Sequence, residues 1–383
     1  MTIIICAIVI VAALITPIIN IFFRKVEDGQ VVNDESTLPC LSVLLTVQDS
    51  ARELEQHLPA LLTQDYPAGF EVIVVVSKSE DDTNDVLKKL SATYPNLYTT
   101  FIPDSSRYMS RKKLAVTLGV KAARHEWILM TEASCQPASD QWLKKMAQHC
   151  QDGTDMVIGY TNYDEEASDY QRFECLQEQC YILRQANKGT AFRCEPGNLL
   201  FRRSLFLDNR GFEGNLKYVR GEYDFIVNKF AKKGNTAIET SPEAWMIEDA
   251  PYKKIWKNRH LYLMETKRHL ARSFCSLLPH RTDNILMHLN YLLIIGCACY
   301  GYWLKRQGNG MTEPWMLWGT AIVAFLITII MRIIFARKTC NQFNEDIPFW
   351  KIIPFEISRC WRNLIWRIRY IFSDKYNFIC HKV

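Results

Sequence analysis

Apolar residues along this chain recur with different periods in different stretches, and the periods divide it into parts. Residues 2–23 carry no charged side chain, which predicts a helix long enough to cross a bilayer. No basic residue precedes that run, and Phe22-Phe23-Arg24 offers no small-residue cleavage site, so a retained anchor over 1–24 is expected rather than a signal peptide. Arg24 and Lys25 place its end in the cytosol, and 25–39 reads as a linker. From residue 40 the pattern alternates. Short apolar runs at Leu41–Val47, Phe70–Val76, Tyr98–Ile102 and Trp127–Thr131 predict buried strands. Between them Leu54, Leu58, Leu61 and Leu62, then 79–90 and 112–123, recur at helical spacing, with a kink expected at Pro59. Strands separated by helices imply βαβ units, a mainly parallel sheet and right-handed crossovers. The prediction is an α/β domain over 40–280.

The C-terminal third changes period again. Ile285–Leu304 and Pro314–Phe335 predict a transmembrane hairpin over 281–338, closed by a loop containing Gly308-Asn-Gly310. His288 and Asn290 are polar interruptions in its first arm. Over 339–383, Trp350, Trp361 and Trp366 alternate with Ile, Phe and Arg at helical spacing. That predicts a basic amphipathic tail lying in the membrane interface, with membrane lipids as partners. The formal net charge of +5 comes mostly from this third. Beside apolar segments it points to an anionic membrane surface and away from nucleic acid. Lys305 and Arg306 oppose the positive-inside rule, but Arg337, Lys338, Arg359, Arg362, Arg367 and Arg369 favour a cytosolic C-terminus. Thirteen cysteines, an odd number with no paired CxxC spacing, read as reduced residues rather than zinc ligands.

Candidate chemistry gathers in the loops after the strands. Gln48-Asp49-Ser50, Ser77-Lys78-Ser79, Ser110-Arg111-Lys112-Lys113 and Glu132-Ala133-Ser134 all fall at carboxyl ends of predicted parallel strands, where open α/β sheets bind ligands. Short polar groups, lysines and a helix start suit a phosphorylated ligand. There is neither a G-x-G-x-x-G nor a P-loop pattern, which disfavours dinucleotide enzymes and Walker-type NTPases. Further on, Glu222 and Asp224 put two carboxylates in one short turn after Gly221. They are candidates for accepting a proton or for complementing a helix dipole. Asp82 is expected to cap the helix that follows it, and Asn198 is open to reading as a turn residue.

With these residues in view, Leu41–Pro137 resembles the front half of a family 2 glycosyltransferase of the GT-A fold. Ser42-Val-Leu-Leu-Thr-Val-Gln-Asp49, Gln64-Asp65-Tyr66-Pro67 and the lysine-led helix with Lys112, Ala115, Thr117 and Gly119 follow that family's order. Glu132-Ala133-Ser134 stands where the family carries its metal-holding Asp-x-Asp. Gly197-Asn198-Leu-Leu-Phe-Arg-Arg203 resembles the donor-sugar and acceptor segment, and Arg220-Gly221-Glu222-Tyr223-Asp224 the segment that supplies the base. The resemblance covers roughly 40–270.

It implies donor binding by Gln48, Asp49, Ser77, Ser79, Lys112, Glu132 and Ser134, and Mg²⁺ or Mn²⁺ on Glu132 in a weakened site, since Ser134 replaces the second acid. It implies an acceptor pocket with Gly197 and Asn198, and with Arg259 or His260 in place of a missing Gln-x-x-Arg-Trp. Glu222 is then the base, assisted by Asp224, in an inverting transfer from a nucleotide sugar to a lipid-linked or surface-glycan acceptor. The layout resembles membrane-bound bacterial members, which implies the inner membrane with the catalytic domain cytosolic. A second expectation is a catalytically weakened scaffold that binds glycan-assembly partners.

Overall fold

The computed structural model describes residues 1–27, 38–102, 110–272, 274–308 and 310–373, without the side chains of 274–281. The expected linker and the last ten residues of the tail fall largely or wholly outside these. Contacts divide the chain into two units, Met1–Lys25 with Ser273–Asn363, and Val26–Arg272 with the chain from Leu364 onward.

The N-terminal helix, Thr2–Ile19 (α1), belongs to the first unit. The second opens with strand Leu41–Val47 (β1), helix Ala51–Leu62 (α2), strand Phe70–Val76 (β2), helix Thr83–Thr93 (α3) and strand Leu97–Phe101 (β3). Helix Arg111–Ala122 (α4), strand Trp127–Thr131 (β4), strand Cys135–Pro137 (β5) and helix Trp142–Ala147 (α5) follow. Then come strands Met156–Gly159 (β6) and Thr161–Tyr163 (β7), helix Asp169–Asn187 (α6), strand Leu199–Arg202 (β8), and helices Arg203–Asp208 (α7) and Glu222–Phe230 (α8). Strands Thr236–Glu239 (β9) and Met246–Glu248 (β10) and helix Lys253–His269 (α9) complete it, joined by the chain from Leu364.

Seven strands form one sheet in the order β3-β2-β1-β4-β8-β6-β9, and three form a second in the order β5-β10-β7. The first four strands of the large sheet are parallel. β8 then runs antiparallel to β4 and β6. The fold is thus mixed α/β with a mostly parallel sheet. The pattern of short apolar runs marked the parallel half. The later strands are three or four residues long, too short to show a period.

β1, β2 and β4 are apolar because helices cover both faces of the sheet, and nearly every residue in them is buried. Two of the polar exceptions, Ser42 and Glu71, satisfy each other. Ser42 Oγ donates to Glu71 Oε1 at 2.7 Å, and Glu71 also accepts the Arg124 N–H at 2.8 Å. Asn198 does the same on a larger scale. Its amide donates to the carbonyls of Tyr160 (3.0 Å) and Ala244 (2.9 Å), and its oxygen accepts from Trp142 Nε1 (3.0 Å). α2 continues through Pro59 to Leu62. Asp82 makes no side-chain cap at α3; its neighbour Asp81 accepts the Thr83 N–H at 3.1 Å instead.

The first unit joins α1 to helices Phe274–Arg306 (α10) and Thr312–Gln342 (α11), and to the start of helix Phe349–Ile371 (α12). α1, Thr282–Arg306 and α11 are each long and apolar enough to cross a membrane. Small residues, Ala13, Ala321 and Ala324, sit where the helices meet. Asn290, an interruption in the sequence pattern, donates to Thr328 Oγ1 of α11 at 2.9 Å, so it faces a partner helix. In α12, Trp350 and Trp361 are exposed, but Trp366 is buried on α9, stacked on His260 with ring centroids 4.6 Å apart. Trp366 therefore packs against protein, which corrects its reading as an interface anchor.

Gly119 sets how closely α4 lies on the sheet. A Cβ there would stand 2.2 Å from Leu44 Cδ1 and 3.1 Å from Val75 Cγ2. We predict that Gly119→Ala destabilises the second unit by about 1–3 kcal/mol, the usual cost of overpacking a dense core. A lower melting midpoint of the detergent-solubilised protein checks this; an unchanged midpoint would mean that the Leu44 side chain gives way freely.

Candidate active site

Strand order reverses at β1. β2 and β3 lie on one side of it and β4 on the other, so a crevice opens at the carboxyl ends of β1 and β4. Leu45 pairs with Thr131, which sets Glu132 level with the last residues of β1, just short of Gln48. β8 arrives antiparallel with Leu199 opposite Met130, bringing Gly197 and Asn198 to the same edge.

The loops after β1 and β2 brace each other. The Asp49 N–H donates to Ser79 Oγ at 3.3 Å, and Asp49 Oδ1 accepts the Glu80 N–H at 2.8 Å. Ser79 Oγ donates to the Ser77 carbonyl at 3.3 Å. Asp49 adopts a φ of 48°, in the left-handed region that Asp tolerates. Asp81 ties the next turn, accepting the Ala51 N–H at 2.9 Å. Burial pushes its carboxyl up, but the hydrogen bonds from Thr83 and Ala51 together outweigh it and hold the group below the ordinary range. Gln48 stays exposed, with its carbonyl accepting from Ser50 Oγ at 3.0 Å.

Lys112 and Lys113 start α4 and diverge. Lys112 Nζ lies 2.7 Å from each oxygen of Glu132. Lys113 is fully buried, which corrects its placement on the basic rim. Its ammonium donates to the carbonyls of Asn215 (2.9 Å), Tyr218 and Arg220 (3.4 Å). It thereby anchors the segment leading into α8, and Ser110 Oγ adds a bond to the Val219 carbonyl at 2.7 Å.

α8 begins at Gly221, whose φ of 97° favours glycine and whose Cβ would meet Thr266 Cγ2 at 2.8 Å. Its first turn carries Glu222, Tyr223 and Asp224, all buried. No described residue donates to Glu222 Oε1, although that atom is buried. Tyr223 lies beside Glu132. Burial, then the Glu132 charge, pushes its hydroxyl well above the usual range.

Asp224 is held by Arg193 Nε at 3.0 Å. Arg193 also meets Glu178 at 2.6 Å and Glu195 at 2.7 Å. Glu195 in turn meets Arg259 at 3.3 Å, and Arg259 meets Glu248 and the Tyr163 hydroxyl at 2.8 Å each. Burial raises Asp224 and Glu248 despite these cations. For Glu195 burial also acts upward, but Arg193 and Arg259 outweigh it and hold the group low. Arg259 is thus committed to this network. His260 is committed to Glu174 (3.1 Å), the Trp256 carbonyl (2.8 Å) and Trp366. Gly197, at φ 109°, packs against Cys135 behind the Glu132–Ser134 turn; a Cβ there would meet Cys135 Sγ at 2.9 Å. Gly197, Asn198, Arg259 and His260, the residues expected in the acceptor pocket, thus each contact other parts of the protein.

No local pattern announced Arg193, Glu195 or Glu248, and Lys113 and Tyr223 stood within the 110–113 and 220–224 segments without a role of their own. Apart from Glu195, two residues from Arg193, the partners in this network lie further away along the chain. Buried charges among apolar neighbours were the available sign, since charged residues are rarely buried without partners.

Among the described residues no group of three His, Cys, Asp or Glu side chains could hold a metal ion. Glu132 is one hard carboxylate with the Ser134 hydroxyl two residues on. That set fits Mg²⁺ or Mn²⁺ only if ligand phosphates supply the remaining oxygens, as is common for Mg²⁺.

Comparison with known proteins now decides the family. The family description "Glycosyl transferase family 21" matches residues 3–279. The chain belongs to glycosyl transferase family 21. The motif resemblance to glycosyltransferases stands, and the family number is 21 where family 2 was expected. Glycosyltransferase AglE of Haloferax volcanii is 29% identical over 151 residues, 37% of this chain and 47% of the relative. The chain thus spans about half the length of that curated relative. The structure of the mannosyltransferase PcManGT from Pyrobaculum calidifontis, in complex with GDP-Man and Mn²⁺, aligns over 95% of this chain and 99% of its own. Its TM-score is 0.53 at 18% identity, a likeness of fold, GT-A-like with a mostly parallel sheet.

For this family 21 chain we predict that Arg193→Met costs about 3–5 kcal/mol, because three carboxylates lose their buried counter-ion. Thermal unfolding would measure it. Retention of wild-type stability would show that the acids take up protons or water at little cost.

Proposed function

We propose that the chain transfers a sugar, with inversion, from a nucleoside-diphosphate sugar to a lipid-linked or surface-glycan acceptor at the cytosolic face of a membrane. The single observation that carries this is the Lys112–Glu132 pair at the strand-order reversal, next to the helix bearing Glu222. A diphosphate needs positive charge at its leaving oxygen, and Lys112 supplies it. Gln48, Asp49, Ser77 and Ser79 take the nucleoside side of the crevice, where their loops are already braced. A divalent metal on Glu132 and the diphosphate would add charge neutralisation to the leaving group. Family membership and the printed name of AglE support the reaction class, and PcManGT's complex with GDP-Man makes guanosine-diphosphate sugars the first donors to test. The three helices able to cross a membrane support an acceptor presented at a lipid surface.

Glu222 is the base in this proposal. Its buried, unpartnered oxygen is free to accept a proton from the acceptor hydroxyl. Asp224 holds Arg193 and orients the first turn of α8. The hydroxyl at Ser134, and the commitment of Arg259 and His260 to framework contacts, favour a second reading, a weakened enzyme that serves as a scaffold for glycan-assembly partners.

Nucleotide release from a panel of guanosine- and uridine-diphosphate sugars, with and without membrane lipid extract, separates the two. The enzyme reading expects acceptor-dependent release; none with any donor would leave the scaffold. Glu222→Gln should then lower turnover by ~10²–10⁴-fold, the range for loss of a general base, while nucleotide affinity changes little. Asp224→Asn should lower stability with a smaller change in rate per folded molecule. If the rate survives Glu222→Gln and vanishes in Asp224→Asn, the base is Asp224.

A further inference from the structure

Glu132 is the sole described carboxylate in the Glu132–Ser134 turn, and it is already occupied. Lys112 Nζ sits 2.7 Å from both of its oxygens, and both side chains are largely buried, with 20% and 15% of their surface exposed. Tyr223 flanks the same carboxylate. A dication on those oxygens would have to share them with an ammonium at contact distance, where repulsion between like charges is strong and little screened by water.

We infer that Lys112 is the resident counter-ion of Glu132 and keeps divalent cations off it until a donor diphosphate draws the ammonium away. The inference rests on the donor-site reading above and concerns the order of filling at that site. A diphosphate carries more negative charge than one carboxylate and offers more acceptor oxygens, so it is the better partner for Lys112. Once Lys112 turns to it, Glu132 is released beside the same diphosphate oxygens. One carboxylate, the Ser134 hydroxyl and phosphate oxygens then make a hard-oxygen set of the kind Mg²⁺ and Mn²⁺ prefer. Donor and metal consequently bind with positive coupling, and the coupling is reciprocal. Each ligand lowers the cost of admitting the other, so each is held less tightly alone.

The test reads Mn²⁺ binding to the full chain in detergent, from loss of the free-ion paramagnetic resonance signal. Wild type should bind Mn²⁺ weakly alone and more tightly with GDP or UDP, after subtraction of binding by nucleotide alone. Lys112→Met should bind Mn²⁺ without nucleotide tighter than wild type by about tenfold or more, the scale on which neighbours of a ligand move metal affinity. Lys112→Arg, which keeps the charge, should behave as wild type, and Glu132→Gln added to Lys112→Met should remove the gain. Equal nucleotide-free affinity in wild type and Lys112→Met overturns the inference, as does a gain that persists with Glu132→Gln. If Lys112→Met does not fold, tight binding of Mn²⁺ alone by wild type overturns it, and weak binding alone with tight binding beside nucleotide sustains it. Failure of every variant to bind nucleotide would instead overturn the donor-site reading, while the nucleotide-free comparison still decides whether Lys112 guards Glu132.

Discussion

Arg193 is buried, and a buried guanidinium must be neutralised where it stands. Glu178 comes from α6, Glu195 from the loop before β8, and Asp224 from α8. Glu195 passes the constraint to Arg259 of α9, and through it to Glu248 of β10 and Tyr163 of β7. One cation thus ties α6 and α8 to the loop before β8, and through Glu195 and Arg259 the ties extend to α9, β10 and β7. Lys267, whose ammonium meets Glu178 at 3.0 Å and is lowered by burial, completes the set. The network explains how α8 can present Glu222 with an unpartnered oxygen. Asp224, two residues on in the same helical turn, is the carboxylate that Arg193 holds.

Adjacent lysines divide two tasks at the start of α4. Lys112 faces the rim and holds Glu132. Lys113, one residue on and therefore turned by about 100° on a helix of 3.6 residues per turn, faces inward and holds the carbonyls before α8. The Glu132 ion pair and the anchor of the segment leading into α8 thereby rest on the same helical turn. Gly119, further along α4, lets the helix lie close on β1 and β2, so the turn is fixed relative to the strand ends.

The membrane-type unit follows the same electrostatic rule in its own interior. Arg332 of α11 is buried between Asp283 of α10 (3.1 Å) and Glu356 of α12 (2.7 Å), and Glu356 accepts from Asn20 beyond α1 at 2.7 Å. Ionisable groups within apolar helices are costly unless paired, so these contacts bind the helix register together. Apolar residues such as Ile285, Leu292 and Ile322 remain exposed on the outside of the helices, as lipid contact requires.

What the sequence determined by itself was whatever a local pattern can carry. Three strands, at 41–47, 70–76 and 127–131, and the long apolar helices follow from runs of apolar residues, because burial on both faces or in lipid imposes such runs. Lys112 and Glu132 could be placed beforehand because polar residues follow those runs at the end where α/β sheets bind ligands, and the Glu222–Asp224 turn because two carboxylates follow Gly221. Tertiary structure alone decided the rest. Trp366, Asn198, Arg259 and His260 look like surface or pocket residues in one dimension, and they become framework residues through partners tens of residues away or more. The short later strands, the antiparallel β8 and the ion network carry no local signature. They exist because pairing and charge neutralisation are satisfied in space, between residues whose separation along the chain sets no limit on their approach.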